Sequence, residues 1–201
     1  MIARSKTLLI VYHSMTGGTR QMAQAAAGAA VACLAPAHAA QGQAQRKLPE
    51  EPEVPGEPKV EVEVEAQVEV QVRVLRAPDA HAADVLAADA YLFATPENLG
   101  AMSGLMKDFF DRCYYPALDR VNGRPYASMI CAGSDGSNAA RQLERIATGW
   151  RLEAVAPALI ICTHAQTPEQ IGREKCIDGD ALARCADLGA CLAAGLEMGI
   201  Y

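Results

Sequence analysis

Residues Leu8 to Thr19, LLIVYHSMTGGT, run five apolar residues straight into a loop of hydroxyls and glycines, a junction that few architectures accommodate. An unbroken apolar run this short predicts a strand buried on both faces. Behind it, Ser14, Thr16, Gly17, Gly18 and Thr19 supply side-chain hydroxyls, backbone N–H donors and small residues. The segment from Arg20 to Leu34, rich in Ala, Gln and Met, predicts a helix. The loop then sits at a positively polarised helix N-terminus, where an anion is stabilised. The combination reads as a phosphate cradle. A Walker loop is excluded because no Gly-Lys-Ser/Thr ending is present, and a dinucleotide fingerprint because no Gly-x-Gly-x-x-Gly is present. For the loop taken alone, the competing reading is an ordinary Gly-rich strand-to-helix turn.

Beyond the first helix the composition breaks. Pro36, Pro49, Pro52, Pro55 and Pro58 alternate with Glu50, Glu51, Glu53 and Glu57, a stretch that neither holds a helix nor buries much surface. It predicts an exposed insertion at about 36–67 within one domain spanning 1–201. From Val60 to Val74, valines alternate with Glu or Gln, the pattern of a strand with one dry and one wet face. Such a run extends roughly 50 Å, about twice an ordinary strand, so only Val68 to Leu75 is assigned to the sheet. Val60 to Gln67 is expected to protrude or to pair with a second copy of the chain, and its glutamates read as a solvated, aggregation-blocking face.

The remaining chain repeats one unit. Ala80 to Ala88 predicts a short helix, and AYLFAT, Ala90 to Thr95, a second buried strand. After Pro96 to Gly104 comes an amphipathic helix with Leu105, Met106, Phe109, Phe110 and Cys113 at helical spacing and Ser103 at the N-cap position. Tyr126 to Ala132 predicts a strand, Gly133 to Ser137 a loop, and Ala139 to Trp150 a helix with Leu143, Ile146 and Trp150 inward. A last strand, Val155 to Thr163, precedes a final helix from about Asp180 to Met198. Five strands alternating with helices specify a three-layer, doubly wound α/β fold with a five-stranded parallel sheet. In the order 2-1-3-4-5, its crevice lies between the carboxyl ends of strands one and three.

Composition narrows the function. With 201 residues, 51% hydrophobic content and a net charge of −6, the chain predicts a globular core and no basic surface for nucleic acid. The apolar run after Met1 to Thr7 is too short for a signal peptide or a membrane span, so a cytoplasmic protein is expected. Seven cysteines, with no Cys-x-x-Cys pair, read as reduced core residues and not as zinc ligands or disulfides.

Ser14-x-Thr16-Gly17-x-Thr19 resembles the loop of the flavodoxin-like flavoproteins that holds the terminal phosphate of FMN. Ala94 to Arg112, ATPENLGAMSGLMKDFFDR, resembles the same family through its Thr-Pro turn, Gly-x-Met-Ser-Gly step, Met-Lys and Phe-x-Asp-Arg. Gly133 to Ser137 occupies the place of the family's remaining flavin loop. The resemblance implies the following sites. Ser14, Thr16, Gly17, Gly18 and Thr19 would hold the phosphate. Pro96, Glu97, Asn98, Leu99, Gly100 and Met102 would line the isoalloxazine edge, and Gly133, Ser134, Asp135 and Gly136 would approach its other side. Ser103 is either a helix cap or a flavin contact.

One departure bears on function. Electron-carrier flavodoxins clamp the ring between aromatic side chains, yet Pro96 to Ser103 and Gly133 to Ser137 contain no Trp, Tyr or Phe. An open ring face fits an NAD(P)H-dependent FMN oxidoreductase passing electrons to a quinone or another small acceptor. It equally fits weak FMN binding, or a wall supplied by a partner chain in a homo-oligomer. The alternative is a flavodoxin-type carrier with a protein electron partner and no substrate of its own. A receiver-like signalling domain is disfavoured, because Tyr12-His13 and Thr95-Pro96 stand where it needs aspartates. His13 is expected to be a structural strand-end residue, and Tyr114, Tyr115 and Pro116 to serve packing. His164 is a possible ring-edge neighbour, and Cys176, after Lys175, is the weakest of exceptions to thiols without activating surroundings.

Overall fold

Short apolar runs separated by amphipathic stretches can bury both faces of a strand only in a sheet covered by helices on each side. The computed structural model describes residues 5–34 and 69–201. The Pro/Glu-rich insertion, and with it the expectation that Val60 to Gln67 protrudes or pairs with a second copy, lies outside the described residues.

In chain order the elements are β1 (Lys6–Tyr12), α1 (Gly18–Leu34), β2 (Val70–Arg76), a 3-10 turn (Ala77–Asp79) and α2 (Ala82–Ala87). Then follow β3 (Ala90–Asn98), β4 (Ala101–Met102), α3 (Gly104–Ala117), β5 (Pro125–Ala132) and α4 (Ser137–Gly149). The chain ends with β6 (Glu153–Ala154), β7 (Leu159–Cys162), α5 (Pro168–Gly172) and α6 (Gly179–Glu197). The sheet runs β2-β1-β3-β5-β6 in parallel, with β7 also on β5, and β4 folds back antiparallel on β3. This is the expected doubly wound order with two differences. The last strand, expected over Val155 to Thr163, is confined to β7, since Pro157 has no N–H for the ladder, and a separate two-residue β6 pairs with β5 ahead of it. The second difference is β4, which was not anticipated at all.

Alternate residues of the sheet feed two distinct cores. On one face Leu9, Val11, Tyr91, Phe93 and Ile130 meet α2, α3 and α4 in an aromatic cluster with Phe109, Phe110 and Trp150. Tyr91 and Phe93 stack at 5.6 Å, and Trp150 meets Phe110 edge-on at 5.4 Å. Ile146 is only partly buried, and Leu105, expected inward, is 44% exposed. On the other face Leu8, Ile10, Leu92 and Met129 pack against α1 and α6. Here Val70 and Val72 of the edge strand are covered, whereas Val74 is exposed, so the expected dry face of that strand is incomplete.

The alanines of α1 let α6 come very close. A Cβ on Gly189 would lie 2.1 Å from the Ala26 carbonyl oxygen, so only glycine fits there. Gly28, on the exposed side of α1, has nothing within 4 Å of the same position. Opposite signs are therefore expected in urea denaturation. Gly189→Ala should destabilise by about 2 kcal/mol or more through overpacking. Gly28→Ala should stabilise by roughly 0.5–1 kcal/mol through helix propensity.

Candidate functional site

Residues Ser14 to Gly17 leave β1 and enter α1 two residues earlier than expected, so Gly18 and Thr19 already form the first helical turn. That turn carries no acidic residue of its own, and the Glu174 carboxylate beside Gly17 is paired with Arg20. Gly17 has φ +84°, a left-handed conformation that suits glycine. A Cβ on Gly18 would fall 2.8 Å from Cys131 Sγ, so the loop sits directly on the buried end of β5. Three polar atoms here, Ser14 Oγ, Thr19 Oγ1 and His13 Nδ1, are buried without a hydrogen-bond partner. The Thr19 hydroxyl has only the Cys131 thiol beside it, a weak partner. Burial, helped by the Arg76 guanidinium, holds the His13 imidazole below its ordinary pKa. Orphaned buried hydroxyls cost stability, and they persist in folded proteins where something else satisfies them.

The cradle is fixed from behind by the chain before α6. Lys175 N–H donates to the Thr16 carbonyl at 2.7 Å, and Gln21 bridges to the Lys175 carbonyl at 2.5 Å and the Ile177 N–H at 3.1 Å. Arg20 pairs with Glu174 at 3.2 Å. The Lys175 ammonium is engaged by the carbonyls of Gln170, Ile171 and Arg173.

Across the crevice, β3 and β4 form a hairpin in which Asn98 pairs with Ala101 around Leu99 and Gly100. Both turn residues have positive φ, 52° and 68°, the geometry of a type I′ turn. Leucine is an uncommon residue for that backbone, and its side chain is fully exposed. The hairpin is held from one side by α4. Glu97 Oε2 accepts from Gly136 N–H at 2.9 Å, Gln142 Oε1 accepts from Met102 N–H at 3.0 Å, and Asn138 donates to the Gly100 carbonyl. Gly136 (φ +81°) admits no side chain, since a Cβ would meet Ile160 at 2.6 Å. Ser134 and Asp135 are exposed, and the Ser137 hydroxyl donates to Asp135 at 2.6 Å.

The fold thus gathers the three expected loops, Ser14 to Thr19, Pro96 to Met102 and Gly133 to Gly136, at the carboxyl ends of β1, β3 and β5. Some side chains are committed elsewhere. Ser103 is fully buried; its hydroxyl lies 3.1 Å from Thr95 Oγ1 and caps α3 through Met106 N–H. The helix-cap alternative therefore accounts for it. The Glu97 carboxylate is turned to Gly136, and Arg112 of the Phe-x-Asp-Arg step reaches the carbonyls of Ala77 and Ala80 at 2.9 Å each. His164 is exposed with φ 55°. Tyr114 packs near Trp150, but Tyr115 is 81% exposed. All seven cysteines are free; Cys113, Cys131 and Cys185 are buried, whereas Cys33, Cys176 and Cys191 are exposed and not core residues. Among the described residues no helix is long and apolar enough to cross a membrane.

The family model described as NADPH-dependent FMN reductase matches residues 7–166, a span containing all three loops. The chain belongs to this family. Membership makes it an FMN-binding oxidoreductase of flavodoxin-like fold. Among solved structures, a flavodoxin from the domain Archaea superposes with a TM-score of 0.62 at 16% identity, over 94% of this chain and 98% of that one. A flavodoxin, WrbA-like protein from Agrobacterium tumefaciens gives 0.60 at 18%, over 94% and 96%. The Flv1 flavodiiron core from Synechocystis gives 0.63 at 14%, over 98% of this chain but 37% of that one. At these identities the likeness is one of fold. A search of the curated proteins found no match.

What sequence reading missed in this FMN reductase family member is the β3–β4 hairpin, the exposed Met15 and the backing segment 174–177. The hairpin had a local signal, Asn-Leu-Gly between two short extended runs. The orphaned and the engaged hydroxyls should differ in stability measurements on the free protein. Ser103→Ala should cost about 1–2 kcal/mol through loss of the cap. Ser14→Ala, which removes an unsatisfied group, should stay within about 0.5 kcal/mol of wild type or gain slightly.

Proposed function

We propose that the protein is an NAD(P)H-dependent FMN oxidoreductase that passes electrons through flavin to a quinone or another small planar acceptor. The site fits FMN on its own chemistry. Ser14 Oγ and Thr19 Oγ1, buried without good partners, together with Thr16 and the N–H groups of Gly17 and Gly18, match a phosphate dianion held without metal. Pro96, Asn98, Leu99, Gly100 and Met102 border one edge of the ring, and Gly133 to Gly136 the other, with the Glu97 carboxylate locking the two loops together. When bound, FMN supplies the hydride-accepting chemistry, and the protein supplies binding and orientation.

The observation that carries the reductase reading is where the aromatic rings are. Phe93, Phe109, Phe110 and Trp150 are all buried in the core under α3 and α4, and none stands in the ring loops. The residues beside the ring are Asn98, Leu99, Gly133 and Gly136, which leave a face on which nicotinamide, and then a quinone, can stack. The family's NADPH dependence supports the nucleotide as donor.

Two measurements test the reading. FMN should bind more tightly than riboflavin, and Ser14→Ala or Thr16→Ala should weaken FMN by about tenfold, the value of one hydrogen bond to a charged group. Equal affinities for the two flavins would remove the phosphate assignment. In anaerobic stopped-flow mixing, NADPH or NADH should bleach the flavin of the FMN-loaded protein rapidly. Bleaching by dithionite but by neither nucleotide would instead identify an electron carrier.

A further inference from the structure

Met15 stands in the middle of the phosphate loop, is 67% exposed, and takes no part in the cradle that its neighbours build. Its thioether reaches across the crevice, where Asn98 Nδ2 donates to Sδ at 3.0 Å. An N–H to thioether contact is weak, so it is readily exchanged for another. The hairpin that carries Asn98 cannot recede, because Glu97, Met102 and Gly100 are tied to Gly136, Gln142 and Asn138 of the α4 side. The adaptable partner in this contact is therefore the methionine, with its unbranched, polarisable side chain. Beside it Leu99 projects, fully exposed, from a backbone with φ 52° that disfavours leucine. Two large apolar side chains thus stand in water on the two loops that face each other across the crevice.

We propose that Met15 is a flavin-gripping residue: its side chain leaves Asn98 when FMN enters and lies against one face of the isoalloxazine, with Leu99 at the ring edge, while the opposite face stays free for the nicotinamide. This rests on the FMN reading of the site. It assigns the phosphate loop a second task, recognition of the ring, that its hydroxyls and amides cannot perform. It also accounts for why the ring loops lack aromatic residues without leaving the flavin unheld.

The test separates ring contacts from phosphate contacts by titrating both FMN and riboflavin against flavin fluorescence. Met15→Ala is expected to weaken the two flavins by the same factor, about 5-fold, since it removes apolar contact with the shared ring. Met15→Leu should restore most of that affinity. Met15→Trp should bind FMN with its fluorescence largely quenched, because an indole touching the ring donates an electron to the excited flavin. Val31→Trp, an exposed position near the far end of α1, should leave the fluorescence of bound FMN as in wild type. Unchanged affinity in Met15→Ala, a loss confined to FMN, or an unquenched Met15→Trp complex would each overturn the assignment while wild type still binds FMN. Failure of wild type to bind FMN would overturn the functional reading itself.

Discussion

The parallel pairing of β1 with β3 is the constraint from which the rest of the site follows. The two strands run in register from Leu8 opposite Ala90 to Tyr12 opposite Ala94, and the last bond, from His13 N–H to the Ala94 carbonyl at 3.0 Å, holds their carboxyl ends together. From that point the chain departs in opposite directions. After β1 it turns to α1 on the alanine-lined face, and after β3 it turns through the hairpin to α3 on the aromatic face. Two connections that diverge from adjacent strands necessarily leave a crevice between them. Each wall of that crevice is a loop whose far end is anchored in a different core.

The two cores do different work for the site. The aromatic cluster under α3 and α4 fixes the hairpin, since α4 and its N-cap supply Asn138, Gln142 and Gly136 to its bracing. The alanine face fixes α1, whose approach to α6 is set by backbone against backbone at Ala26 and Gly189. A helix packed that tightly cannot slide, so its N-terminal N–H groups keep their direction whether or not an anion is present. The geometry of the loop is therefore fixed by packing, and the energetic burden of the orphaned hydroxyls is carried by contacts far from them.

Much of this was legible from local pattern. Period-two and period-3.6 spacing located β1, β3, β5 and their helices, and the hydroxyl-glycine loop marked the strand-to-helix junction that forms one wall of the crevice, because those signals are carried by neighbours in sequence. Ser103 shows the limit. As an N-cap and as a ring contact it has the same neighbours in sequence, and only the fold, which sets Thr95 against its hydroxyl, decides between them. The fifth strand was read as continuous because its apolar residues are, although Pro157 already marked the break. The carboxylate of Glu97 and the thioether of Met15 point where they do because of partners on other elements, Gly136 and Asn98, which no window of sequence contains. The exposed cysteines, Cys33 on α1, Cys191 on α6 and Cys176 in the loop before it, were misjudged because composition and spacing do not say which face of an element a thiol occupies.

The segment at 174–177 has a consequence for how the protein is made. Thr16 and Gln21 near the amino end are joined to Lys175, and Gln21 and Lys175 are separated by 154 positions. On a ribosome the strand, the loop and the first helix emerge well before the backing that steadies them. The cradle is closed only once residues 174–177 have left the exit tunnel. A product truncated before residue 174 would carry the recognisable hydroxyl-glycine motif with no rear wall behind it.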